Sequence, residues 1–166
     1  MSISIRTAQH RDIARLPEID RAAEVLFPDG LLPEHGNGLD VNTLAAAVEA
    51  EQLLVAEVGG QVVGFALNGV LGKYLHLYEM SVHPDFGRRG IGRRLVSATK
   101  AVAADCSLPG VTLTTFSHIP WNGPFYQRCG FQILSGEQIS PELNGILQQE
   151  AEDGFTDRIA MRALLT

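Results

Sequence analysis

The sequence predicts a mixed α/β fold: a central, mostly antiparallel sheet flanked by helices. Three observations predict it. Apolar residues alternate in several short runs, the period of half-buried strands, and elsewhere recur every three to four positions, the period of a helix face. Gly59-Gly60 separates two strand-like runs and reads as a tight hairpin. Tyr74 to Ala104 passes from strand, through a glycine- and arginine-rich turn, into a long helix.

Length and composition bound the rest. The 166 residues are read as a single domain, 1–166, long enough to bury a full core. With 45% hydrophobic and 19% charged residues the composition is that of a soluble globular protein. A net charge of −6 argues against a general nucleic-acid binder and is compatible with a cationic substrate such as an amine. Met1 to Asp12 lacks the apolar core of a signal peptide, and no apolar run approaches the roughly 18 residues of a membrane helix. The expected location is cytoplasmic, with no membrane partner. Cys106 and Cys129 give neither a disulfide framework nor metal spacing, and both are expected reduced and half-buried.

In chain order, Ile3 to Arg6 alternates as a first strand. Asp12 offers a helix cap, followed by Ile13, Leu16, Ile19 and Ala23 on one face, with Pro17 kinking or restarting the helix. Phe27 to Gly38 is a broken, turn-rich loop, either an ordinary surface loop or a lid over a site. Val41, Leu44 and Val48 mark a second helix, and Leu53–Val58 and Val62–Gly69 the two hairpin strands. The Tyr74–Val82 strand and the helix from Ile91 follow, the latter burying Ile91, Leu95, Ala98 and Val102. Val111–Phe116 is a further strand, Asn122–Cys129 a short helix closed by Gly130, and Phe131–Leu134 a strand. Ser140-Pro141 starts another helix running to about Ala151, and Arg158–Arg162 alternates as a closing strand.

The turn before the long helix carries the first functional signal. Gly90 and Gly92 stand where a helix begins, although each glycine costs about 0.5–1 kcal/mol relative to alanine. Close approach of a ligand to the backbone would explain them. Arg88, Arg89, Arg93 and Arg94 crowd the helix end that already carries partial positive charge. Free N–H groups, the helix dipole and guanidinium groups together make a seat for phosphate; the alternative is a solvated basic surface. No Gly-Lys-Ser/Thr ending is present, which excludes a P-loop, and the third glycine and following acid of a dinucleotide fingerprint are missing.

Val82-His83-Pro84 followed by Arg88-Arg89-Gly90-Ile91-Gly92 resembles motif A of the GNAT superfamily, the acyl-CoA-dependent N-acyltransferases. The family motif is usually Arg/Gln-x-x-Gly-x-Gly/Ala, and here Gly87 occupies its first position. The order of elements also matches the family, apart from the helix at Ser140. The resemblance implies a GNAT fold splayed between the fourth and fifth strands, with acetyl-CoA entering the splay and no metal. It assigns the cofactor to Met80, Ser81, Val82, Arg88, Arg89, Gly90, Ile91, Gly92, Arg93 and Asn122. Met80 and Val82 would pair with the pantetheine arm like an added strand, and the Met80 N–H would polarise the thioester carbonyl.

Pro124-Phe125-Tyr126-Gln127-Arg128 with Gly130-Phe131 is similar to the aralkylamine N-acetyltransferase branch. By that match Tyr126 protonates the leaving thiolate, a role open to a phenol of ordinary pKa about 10. The alternative is a core tyrosine with its hydroxyl at the rim. An alkylammonium must lose a proton before it attacks, at a cost of roughly 4 kcal/mol at neutral pH, so a base is needed. His76 falls where the branch carries a proton-removing histidine, Tyr78 matches its second histidine, and Glu79 falls where many bacterial members carry a glutamate. Strict alternation puts His76, Tyr78 and Met80 on one face and Glu79 on the other, unless a β-bulge reverses the parity. His76 and Glu79 both stay candidates.

His118 and Trp121 lie in the loop that borders the acceptor pocket in this fold. Trp121 either receives an aromatic amine or anchors the loop. His35 and His83 belong to no motif, and no histidines have metal-ligand spacing. The function implied is a direct-transfer N-acetyltransferase acting on a small-molecule primary amine, in a family where homodimers are common. The alternatives are a non-catalytic acyl-CoA-binding module and a protein N-terminal or lysine acetyltransferase.

Overall fold

A computed structural model describes residues 2–33 and 39–166. Seven strands form one sheet in the order β1-β2-β3-β4-β5-β7-β6. They are β1 (Ile3–Thr7), β2 (Leu53–Val58), β3 (Gln61–Leu71), β4 (Tyr74–Val82), β5 (Gly110–Phe116), β6 (Gln132–Ile133) and β7 (Arg158–Leu164). All neighbours are antiparallel except β4 and β5. Gly59 and Gly60 both take positive φ (58° and 81°), the twist a two-residue hairpin needs.

Among the described residues, five α-helices cover the sheet: α1 (Leu16–Glu24), α2 (Val41–Glu49), α3 (Ile91–Asp105), α4 (Gly123–Arg128) and α5 (Pro141–Glu152). α3 buries Ile91, Leu95 and Val96 on one face of the sheet, with Leu75, Leu77, Val111 and Met161 beneath it. α1 and α2 bury Leu16, Ile19 and Leu44 on the other face, over Val55, Phe65 and Leu67. Leu143 of α5 packs on Ala160 beside Leu134. Asp40 and Ser140 cap α2 and α5 by accepting from the N–H groups of Thr43 and Leu143.

Several expectations are corrected. Asp12 is not a helix cap. It is the third residue of a 3-10 turn, His10–Arg15, where it accepts from the Gln9 N–H and pairs with Arg6 at 2.8 Å. α1 restarts after it with Pro17 in its first turn, as that proline requires. Val41 is exposed because the apolar stripe of α2 turns on Leu44 and Ala47. The strand expected at Phe131–Leu134 is reduced to Gln132–Ile133, since Phe131 is spent on the α3 core. Cys106 is exposed and Cys129 buried. Of the loop at 27–38, residues 34–38, with His35, lie outside the described residues. No helix among the described residues is long and apolar enough to cross a membrane.

Candidate active site

The site begins where β4 and β5 part. These strands pair only from Leu75 with Val111 to Leu77 with Leu113, while β4 runs on to Val82 and β5 to Phe116. On the other side of β4, Glu79 pairs with Leu67 and Leu77 with Asn68, so Tyr78 is an extra residue, a β-bulge. The bulge corrects strict alternation. Leu75 and Leu77 face α3, and beyond the bulge Met80 and Val82 do the same. His76 and Glu79, with Ser81 next along, therefore share the α1 face, and Met80 does not share it.

The bulge also frees backbone groups. The His83 N–H donates to the Val63 carbonyl, so odd-numbered residues at this end of β4 bond to β3. Met80 and Val82 lie between those bonded pairs, and their N–H and C=O groups point toward the gap beside β5. An extended ligand arm could add there as a strand does.

At the mouth of the gap stands the turn before α3. Gly90 caps α3 in the left-handed conformation, φ 78°, and a Cβ there would meet nothing within 4 Å. The positive φ by itself favours glycine here, and the space beside it is open. A Cβ on Gly92 would come within 3.3 Å of the Phe125 ring and 3.6 Å of the Met80 methyl, so Gly92 serves α3–α4 packing. Arg88, Arg89, Arg93 and Arg94 are all exposed, and none is in an ion pair among the described residues. The Arg89 guanidinium lies over Phe86. One turn along α3, Arg93, Val96, Ser97, Lys100, Arg128 and Cys129 line an open pocket of about 150 Å³. Lys100 was not singled out from the sequence; its signal is that positions 93, 97 and 100 share one face of α3.

α4 sits against the α3 core. The Asn122 carbonyl accepts from the Tyr126 N–H, and the Asn122 side chain donates to the Trp121 carbonyl. Gly123 fits so tightly that a Cβ would lie 2.8 Å from the Ser117 carbonyl oxygen, a restriction the sequence did not flag. Tyr126 is buried between Phe125 and Phe131, both edge-on. Burial pushes its phenol up, helped by Glu79 and Cys129 and opposed by Arg158. Tyr126 belongs to the core on the α3 face, and Glu79, across the sheet from it, is near enough for its charge to raise the phenol.

Glu79 is half-buried and its carboxyl is pushed up to about 8, first by burial and then by Asp20, with Arg158 opposing. His76 is buried, hydrogen-bonds through Nδ1 to the Thr112 hydroxyl at 2.8 Å, and is pushed down to about 4 by burial. Tyr78 is 46% exposed, edge-on to His76 and laid over Gly69. Trp121, 40% exposed, meets Phe27 edge-on, and Phe27 also touches Phe116. Arg158 stacks on Phe116 and Phe155 and pairs with Glu150 at 3.0 Å. His118 is exposed. Among the described residues, no group of three His, Cys, Asp or Glu is placed to hold a metal.

The acetyltransferase (GNAT) domain model matches residues 49–133, just over half the chain. The chain belongs to the GNAT acetyltransferase family. An acetyltransferase of Pectobacterium atrosepticum is 40% identical over 60 residues, 35% of this chain and 43% of that protein. The chain thus matches less than half the length of such curated relatives. The PaiA N-acetyltransferase of Thermoplasma acidophilum, solved with coenzyme A, superposes with TM-score 0.77 at 15% identity, covering 99% of this chain and 100% of that one. The ribosomal-protein-S18-alanine N-acetyltransferase of Escherichia coli superposes with TM-score 0.70 at 18% identity, covering 99% and 95%. At such identities the likeness establishes the GNAT fold, with its parallel β4–β5 pair and the gap beyond it.

Proposed function

We propose that this chain is an N-acetyltransferase that moves the acetyl group of acetyl-CoA to the primary amine of a small molecule by direct attack. The observation that carries this reading is the parting of β4 and β5 beyond Leu77 and Leu113, beside a turn with four exposed arginines, and it is supported by Glu79 and Tyr126 lying near enough for one charge to act on the other. One is suited to take a proton and the other to give one.

The anionic end of acetyl-CoA lies at the turn before α3, among Arg88, Arg89 and Arg93 and the N–H groups from Gly90 to Gly92. The four exposed arginines around that turn support this, as does the coenzyme A bound in the Thermoplasma relative. The pantetheine arm pairs with Met80 and Val82, and the Met80 N–H donates to the thioester carbonyl as it becomes an oxyanion. The acceptor enters from the α1 face. Glu79, once ionised, takes one proton from the ammonium group. The free amine attacks the carbonyl carbon, the C–S bond breaks, the thiolate takes the phenolic proton of Tyr126, and the second N–H proton, lost as the neutral amide forms, restores the phenol. Glu79 is preferred to His76 as base. The His76 imidazole is buried, tied to Thr112 and too weakly basic to hold a proton at neutral pH.

Thiol release from acetyl-CoA tests the reading directly. The acceptor panel should span aralkylamines, polyamines, amino acids, aminoglycosides and an alanine-ended peptide, the last because of the likeness to the ribosomal-protein acetyltransferase. Release with a small amine, and the matching mass gain of 42 Da expected for acetylation, supports the proposal. Acetyl-CoA binding without release on any acceptor would instead favour a non-catalytic module.

A further inference from the structure

Asp20 is a carboxylate that no step above uses. It lies on α1, is almost fully buried, and faces β4. The Ser81 hydroxyl donates to its Oδ1 at 2.8 Å, across 61 residues of sequence. Glu79, two residues before Ser81 on the same face, lies close to Asp20, whose carboxyl favours the protonated form of Glu79. A hydrogen bond between two carboxyl groups requires a proton between them, because two carboxylates only accept.

We propose that Asp20 is a positioning residue for Glu79, so that the Asp20–Glu79 pair, rather than Glu79 alone, receives the acceptor's proton. This rests on the assignment of Glu79 as base. Ser81 fixes Asp20 by donating to it, and Asp20 in turn fixes the Glu79 carboxyl. The fully ionised pair, charge −2, meets an ammonium, charge +1. One N–H bond breaks and one O–H bond forms, leaving a neutral amine and a singly protonated pair of charge −1. The proton then leaves to solvent before the next turnover.

Other groups face Glu79 and act in known directions. Asp20 and Glu24 from α1 favour its protonated form, and Arg158 from β7 favours the ionised form. Tyr126 from α4 stays neutral across the working range, because burial holds its phenol well above the ordinary tyrosine value. His76, on the same face of β4, is neutral above pH of about 4. Of these, Asp20 lies close to Glu79 and is itself anchored by the buried Ser81 hydroxyl.

The test is the pH profile of kcat/KM with an amine whose own pKa is near 10, measured on the whole chain. The wild-type profile should rise with a midpoint near 8. Asp20→Asn removes the like charge and can donate to Glu79, so the midpoint should fall by about one pH unit or more. Ser81→Ala removes the donor that stabilises the ionised pair, so the midpoint should rise. Glu24→Gln, through charge alone, should lower it by less than Asp20→Asn. Opposite shifts from Asp20→Asn and Ser81→Ala are not produced by loosened packing. If both variants lose activity equally at every pH, with the midpoint in place, the proposal is overturned. Should Asp20→Asn fail to fold, Ser81→Ala carries the test by itself, and an unmoved midpoint overturns it. If Glu79→Gln keeps the wild-type rising limb, the base assignment itself fails and this inference falls with it. If Glu79→Gln loses the limb while the other two variants leave the midpoint unmoved, only the role of Asp20 falls.

Discussion

His76 and Glu79 stand three positions apart on β4 yet project from the same face of the sheet, because the strand bulges at Tyr78 between them. Burial acts on both, and in opposite senses. It disfavours the imidazolium of His76, which stays neutral down to about 4, and the carboxylate of Glu79, which stays protonated up to about 8.

These two groups give stability a pH dependence of known sign. Between about 4 and 6.5 the unfolded chain binds more protons at His76 than the folded one, so His76 makes stability rise with pH. Between 4.5 and about 8 the folded chain binds more at Glu79, so Glu79 makes stability fall. Above 6.5 only the second effect of the two remains. Thermal unfolding from pH 6.5 to 8 should therefore show a declining Tm that Glu79→Gln flattens. An equal decline in that variant would show that Glu79 is not held protonated. His76→Gln should flatten stability only on the acid side.

Activity separates the same two residues. Glu79→Gln should lower kcat about 10²- to 10⁴-fold at pH 8 and abolish the rising limb of the profile. His76→Gln keeps a hydrogen-bonding group near Thr112 and should leave the midpoint of that limb where it was. A midpoint moved by His76→Gln would transfer the role of base to the imidazole.

The sheet was largely legible because its signals are local. Gly59-Gly60 sets its own turn, Ser140-Pro141 its own helix start, and the Tyr74–Val82 strand carries its own alternation. What escaped depends on distant partners. Asp12 reads as a cap until Arg6 claims it, and the Phe125 ring and Met80 methyl that press on Gly92 come from other elements. The Tyr78 bulge is invisible in composition, since it is defined by the register of β3, and it decides which face Glu79 occupies. Asp20 and Ser81, 61 residues apart, share no motif at all.

The packing of Gly92 has its own consequence. In Gly92→Ala the new methyl presses on Phe125, the neighbour of Tyr126, from 3.3 Å. The displaced ring shifts α4, so kcat should fall while acetyl-CoA binding weakens little. Gly90→Ala meets no neighbour but must hold φ 78°, which costs about 1–2 kcal/mol of stability. Its expected signature is a lower Tm with turnover largely kept. The reverse pattern in the two variants, read from Tm and steady-state kinetics, would contradict this division.

The exposed arginines should act through charge. Arg88→Ala with Arg89→Ala should raise the Kd for acetyl-CoA by about 10-fold at low salt, and by less at 0.5 M salt, where the charges are screened. An increase independent of salt would mean that the two side chains shape the turn instead of meeting phosphate. Arg88 is the residue to watch, since it holds a positive φ of 60° without being glycine.

Tyr126 is the last test, and its burial makes the outcome sharp. The ring is packed between Phe125 and Phe131, so Tyr126→Phe keeps the packing and removes only the hydroxyl. Acetyl-CoA affinity should change less than about twofold, while kcat falls about 10²-fold or more, the scale of a lost general acid. Because burial and the nearby Glu79 push the phenol above its ordinary value, the wild-type profile should show no falling limb below pH 10 from this residue. A fluorinated tyrosine of lower pKa at this position should introduce such a limb. Unchanged turnover in Tyr126→Phe would remove the phenol from the chemistry and leave the thiolate to take its proton from water.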